Sequence, residues 1–286
     1  MAAFIASLNR KARNASREGK GWIEPIARLG LMCKGLTYIL VGGIGLTAVF
    51  RLVPAMGPRE ALNLFVSHPS GAILLPLIGT GLWAYSFWKL LQATCDPEHR
   101  GTQWKAIFVR LGFLGSGCAH LGFGWTAFQL AFGNDHGHVR LEQYWLARLF
   151  MHPLGDYLAG IIAAWIAIGG FYQFGRAWKG KFQHRWEVSK QAQDTKHWAR
   201  YIGQIGLASR GVIFLVIAWL LFQSALHLNA AEAGGVGDAL QVLGSLKYGS
   251  WLLAIVSMGL LAYGLFELLE AYYCRIYGPV AGSKRE

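Results

Sequence analysis

A Trp, then an Arg or Gln six residues on, then a Gly two further, recurs three times along this chain. A polar residue, a second Gly beside it and a ring-bearing residue complete each copy. The first copy is Trp22, Arg28, Gly30, Lys34, Gly35 and Tyr38. The second is Trp104, Arg110, Gly112, Ser116, Gly117 and His120, and the third is Trp198, Gln204, Gly206, Arg210, Gly211 and Phe214. The spacing is the same in all three, and each copy opens a long apolar segment. A pattern fixed in this way means one supersecondary unit built three times.

Six stretches hold few or no charges: 26–50, 71–93, 106–132, 155–175, 202–226 and 249–266. Only 15% of the 286 residues are charged and 54% are hydrophobic, where a soluble domain carries about 25% charge. A helix needs roughly 20 apolar residues to cross a bilayer. Backbone groups in lipid must be satisfied within the span, which makes these helices. The stretches are too continuous for the alternating strands of a barrel. The expected fold is all-α, a polytopic membrane protein of six transmembrane helices.

The repeat takes in the second helix of each unit. Residues 61–93 align without a gap to 239–271, with Gly71 on Gly249 and Ala84-Tyr85 on Ala262-Tyr263. The middle unit keeps Pro153, Gly155 and Tyr172, which the spacing reads as needing about three extra residues. Each unit is an odd helix, an outer loop with an amphipathic stretch, and an even helix. Two crossings return the chain to its starting side. The three repeats are therefore parallel, with an expected pseudo-threefold axis along the membrane normal. The domain reading is a basic amphipathic N-terminus at 1–21, one membrane domain at 22–277 and a tail at 278–286. Within the domain the repeats span 22–97, 98–178 and 198–277, with a basic connection at 179–197.

The net charge of +12 is placed on one side. Nineteen Lys and Arg fall in the two termini and in the second and fourth connections, against five in the alternate loops: Arg51, Arg59, Arg140, Arg148 and Lys247. This asymmetry predicts that both termini lie in the cytoplasm. It also accounts for the basic balance without nucleic acid, which is not an expected partner. The four cysteines form no C-x-x-C, so neither zinc nor a redox pair is suggested. The first apolar run is too long for a cleavable signal and reads as a first span.

Trp22, Trp104 and Trp198 fit the inner membrane boundary, where an indole buries its ring and still reaches water. Gly30, Gly35, Gly42, Gly112, Gly117, Gly122, Gly206 and Gly211 suit close helix packing, because small residues let helices approach in lipid. Lys34 and Arg210 share one repeat position inside the spans, and Glu267 and Glu270 are the acids at comparable depth. A charge so placed costs roughly 2.5–3.5 kcal/mol and takes a partner. These four residues are candidates for an interhelical ion pair or for holding an anion or lipid phosphate. His120 stands where the other copies have Tyr38 and Phe214, an aromatic packing position. His68 and His152 open the even helices with a following Pro. With His136 and His138 they are the candidate metal ligands. No catalytic constellation is present, with no G-x-S-x-G, P-loop or H-E-x-x-H, so no enzyme activity and no cofactor are expected.

Arg28-Leu29-Gly30, Lys34-Gly35, Arg110-Leu111-Gly112, Gly206, Arg210-Gly211, Ala84-Tyr85 and Ala262-Tyr263 together resemble a bacterial family known as domain of unknown function 1206. The likeness runs from about 22 to 277. It implies an inner-membrane protein of three two-helix repeats and brings no activity, substrate or catalytic residue. Mitochondrial carriers share the repeat count, but their Pro-acid-base signature in the odd helices is missing here.

The leading expectation is a non-enzymatic accessory or scaffold subunit that contacts membrane lipids and either a membrane-protein partner or further copies of itself. One alternative is a transporter or channel for a small solute along the pseudo-threefold axis. Another is an outer-face protein that uses its loop histidines for metal or haem.

Overall fold

The structure is a computed structural model that describes residues 20–50, 53–95, 103–133, 141–180 and 193–273. Its described elements are helical. Six long helices match the apolar stretches: α1 (Lys20–Val49), α3 (Gly71–Cys95), α4 (Trp104–Ala131), α6 (Gly155–Lys179), α7 (Gln193–His227) and α9 (Gly249–Tyr273). All six are long and apolar enough to cross a membrane. Three short helices lie in the loops that join the two long helices of each repeat: α2 (Pro58–Asn63), α5 (Leu141–Phe150) and α8 (Val236–Ser245). A 3-10 turn at Ala230–Glu232 precedes α8. The helix α7 starts five residues before Trp198, inside the stretch read from sequence as a connection.

Local chemistry sets the ends. In α2 the Glu60 carboxylate accepts from Gly57 N–H at 3.1 Å, and in α8 Asp238 accepts from Gly235 N–H at 2.8 Å. Each satisfies a donor that a helix start leaves without an intrahelical partner. Behind the caps, Ala61-Leu62 and Ala239-Leu240 are fully buried. The α6 helix ends on Gly180 in the left-handed region at φ 56°, and its N–H donates to Arg176 at 3.1 Å. Glycine adopts that conformation without steric cost. The even helices α3, α6 and α9 open on Gly71, Gly155 and Gly249. A Cβ there would collide with the carbonyls of Phe65, Leu149 and Gly244.

The long helices pack in the order α4, α3, α1, α9, α7, α6. The most extensive contacts are the three seams between repeats: α3 with α4, α6 with α7, and α9 with α1. Gly35 on α1 meets the Gly264 carbonyl of α9, with a Cβ at 2.8 Å. Gly117 on α4 accepts at its carbonyl from Ser86 Oγ of α3, at 2.7 Å. Gly211 on α7 lies against the Gly170 carbonyl of α6, at 3.1 Å from a Cβ. So Gly264, Ser86 and Gly170 are equivalent, each fifteen residues after the Gly that opens its helix. The middle repeat therefore aligns without insertion. Gly169, not Tyr172, takes the place of Tyr85 and Tyr263, and Tyr172 is exposed instead.

The Arg or Gln of the recurring pattern closes the same seams. Arg28 donates to the carbonyls of Ala271 and Tyr272 at 2.5 and 2.8 Å, at the end of α9. Arg110 donates to Ala93 and Thr94 at 2.8 and 3.0 Å, at the end of α3. Gln204 donates to Ala177 at 2.8 Å, at the end of α6. Each uses carbonyls that a helix end leaves without partners.

The seams are alike, but the hairpins within repeats are not. Gly30 lets α1 close on α3, with a Cβ only 2.5 Å from Tyr85 N. Gly206 does the same for α7 on α9, at 2.5 Å from the Tyr263 Cα. Gly112, expected to pack likewise, has nothing within 4 Å, and neither has Gly115 one turn along. The α4 and α6 helices scarcely touch. They meet through the rings of Phe108 and Trp165, 5.8 Å apart. Only 17% of the apolar window of α4 and 22% of that of α6 is buried, against half in α1, α3 and α9.

Candidate functional site

The polar residues of the spans converge on one buried cluster. Lys34 Nζ, on α1, donates to Glu267 on α9 at 2.6 Å, to the Tyr263 hydroxyl at 2.8 Å and to the Tyr85 hydroxyl of α3 at 3.0 Å. A lysine has three donors, and all three are used. Lys34 and Glu267 are 2% and 3% exposed. Of the two roles expected for Lys34, the structure takes the interhelical ion pair, since so buried an ammonium does not reach a headgroup.

Arg210, at the matching position on α7, also turns inward. Its Nη1 donates to the Tyr263 hydroxyl at 2.8 Å. The guanidinium lies over the Phe214 ring at 4.7 Å and the Tyr263 ring at 5.1 Å, which is favourable for a cation against an aromatic face. Arg210 makes no direct ion pair with a described carboxylate; Glu267, bonded to Lys34, attracts it from within the cluster. Arg210 Nε, Glu267 Oε2 and Ser116 Oγ are buried without a hydrogen-bond partner among the described residues.

Ser116 brings the second repeat into the cluster. His120, one turn on, donates from Nδ1 to the Ser116 carbonyl at 2.8 Å and packs on Tyr85 with ring centroids 4.6 Å apart. The aromatic packing position read from the sequence is where His120 sits. The Tyr38 ring meets the edge of Tyr263 at 4.8 Å. Repeat-equivalent residues thus surround the cluster, except at Gly169, which supplies no phenol.

Of the other candidates, Glu270 borders this cluster and the rest lie apart from it. Glu270 is a turn further along α9, half-buried, with no ion pair to a described residue. Trp104 and Trp198 are 74% and 72% exposed at the starts of α4 and in α7. Trp22 falls in α1, but its side chain lies outside the described residues. His68 and His152 are exposed in turns of different hairpins, and His68 Nδ1 is bonded to Ser70 Oγ at 2.7 Å. His136 and His138 lie outside the described residues. Among the described residues no three His, Cys, Asp or Glu side chains gather as metal ligands.

Sequence reasoning paired Lys34 with Glu267 as one option but missed Tyr85 and Tyr263 as its acceptors. The signal was present, because the two tyrosines occupy matching positions at the same depth. It also missed the capping role of Arg28, Arg110 and Gln204, which no residue near them in sequence reveals.

Six apolar helices in three repeats, closed by a buried ion pair, define a multi-pass membrane protein built by repetition. The chain belongs to the family described as Domain of Unknown Function (DUF1206), which matches three times, at residues 29–96, 111–180 and 205–274. It is similar to the uncharacterized protein YxxB of Bacillus subtilis (strain 168), with 27% identity over 94% of this chain and 98% of that protein. No solved structure matches.

Proposed function

We propose that the protein works by association in a bacterial inner membrane, as a non-enzymatic accessory or scaffold subunit, with both termini in the cytoplasm. The observation that carries this reading is the open second repeat. The same chain twice covers a glycine of its pattern with a helix turn bearing Ala-Tyr, at Gly30 and at Gly206. At Gly112 and Gly115 that surface is bare. We assign it to a transmembrane helix of a partner that presents a small residue followed by a ring, as α3 and α9 do. Association between helices in lipid rests on close packing at small residues. A solute path through the middle of the bundle would cross the Lys34–Glu267 pair and the rings of Tyr38, Tyr85 and Tyr263, which favours association over transport.

A photo-reactive amino acid at Leu111 or Leu114, both exposed on α4, tests this in native membranes. The expected result is a discrete adduct to one membrane protein that Gly112→Leu removes while the protein stays folded. The same probe at Ile255, exposed on α9, should give only lipid. Lipid adducts alone at all three positions would sink the reading.

A further inference from the structure

The buried cluster contains more positive than negative charge. Lys34 and Arg210 enter it from α1 and α7, and Glu267, the carboxylate within it, is held by Lys34. Glu270, a turn further along α9, has Glu267, Arg176, Lys34 and Lys89 as its charged neighbours. Arg210 is left with a phenol at Nη1 and a buried Nε that has no partner among the described residues. A charge within a membrane protein is expensive unless something of opposite sign meets it. The planar fork of a guanidinium fits a carboxylate or phosphate through two parallel hydrogen bonds.

The fold also leaves a way in. Arg210 is part-exposed although it sits among the spans, whereas Lys34 is 2% exposed. Its guanidinium stacks on Phe214. Phe214 is the described side chain nearest to Gly169, 3.7 Å from where a Cβ would be. In the other two repeats a tyrosine fills the position of Gly169 and closes the hairpin. Here that ring is missing, and Gly112 and Gly115 on the facing helix add no bulk. From the α4 side the Ser116 hydroxyl is buried next to the Tyr85 phenol.

We propose that Arg210 anchors an oxyanion site reached through the gap between α4 and α6, with Ser116 on its far wall. The ligand is a single carboxylate or phosphate group, from a free anion or from the headgroup of an anionic lipid. This goes beyond the association reading: it concerns the isolated chain, in which Gly112 and Gly115 are bare, and not what covers them in the membrane.

The test uses the purified full chain, with no partner present. In phosphatidylcholine nanodiscs, inorganic phosphate and acetate are titrated by calorimetry. In nanodiscs that also contain phosphatidylglycerol, native mass spectrometry follows lipid carried out with the protein. Binding in the first arm identifies a free anion, and retention in the second alone identifies a lipid headgroup. Arg210→Gln should weaken whichever binding is seen by about tenfold or more, the loss expected for a charge-assisted hydrogen bond. Gly169→Tyr should weaken it as much by filling the gap with the ring of the other repeats, while Arg210 stays in place. This second variant decides the matter if Arg210→Gln does not fold. Wild-type protein that binds neither source, or a folded variant of either kind that binds as wild type does, overturns the proposal. Arg210→Gln leaves Gly112 and Gly115 bare, so partner adducts at Leu111 should persist in that variant whichever way the binding arms fall.

Discussion

Lys34 shows how one side chain ties three helices. Its ammonium bonds to α1's neighbours on both sides, through Tyr85 on α3 and through Tyr263 and Glu267 on α9. Removing one member of a buried pair strands the other charge, at a cost of about 3–5 kcal/mol. Lys34→Met and Glu267→Gln are each expected to lose stability on that scale in detergent unfolding. Lys34→Met combined with Glu267→Leu should regain most of the loss, since neither charge then remains buried alone. A double variant no more stable than the worse single one would show that the pair is not what holds these helices. The sequence made Lys34, Arg210 and Glu267 legible as a group, because unpaired charges in apolar runs stand out. It did not distinguish an ion pair from a lipid contact, as that depends on which way α1 and α9 face each other.

At the scale of elements, the pattern of Arg or Gln two residues before Gly reads the same at Gly30, Gly112 and Gly206, yet only two of the three close a hairpin. The difference lies in the even helices, where Tyr85 and Tyr263 face their glycines and Gly169 stands in the middle repeat. That substitution was hidden by aligning Tyr172 as the equivalent ring, a register only the seam contacts correct. Gly30→Leu and Gly206→Leu should each cost about 1–3 kcal/mol through overpacking. Gly112→Leu should be close to wild type in purified protein, where the space beside it is open. Thermal unfolding in one detergent compares all three. Equal losses would mean that α4 and α6 close in solution as the other hairpins do. The three short helices were legible as amphipathic stretches, and the caps of two of them at Glu60 and Asp238 follow from an acid three residues after a Gly.

The whole molecule is a chain of helix contacts whose first and last repeats meet across the α1–α9 seam. Hydropathy alone sufficed for the six spans, since lipid forces every backbone bond inside a helix. Their order in space was not legible, because equivalent glycines look alike whichever neighbour they touch. Orientation is tested by labelling single cysteines from outside, after the native ones are replaced. Probes at Asn134 and Ala231 should react and probes at Gly101 and Gln191 should not. Reaction at Gly101 would invert the assigned topology.

The seam between first and last repeats also has a meaning in time. Lys34 and Glu267 are 233 residues apart, and a ribosome adds about 5–20 residues per second. For roughly ten to fifty seconds of synthesis, α1 is in place before its counter-ion exists. During that interval its ammonium must be sheltered by water, by headgroups or by the insertion machinery. The nascent protein therefore passes through a stage in which its first helix is the least settled, and it locks only when its last one arrives.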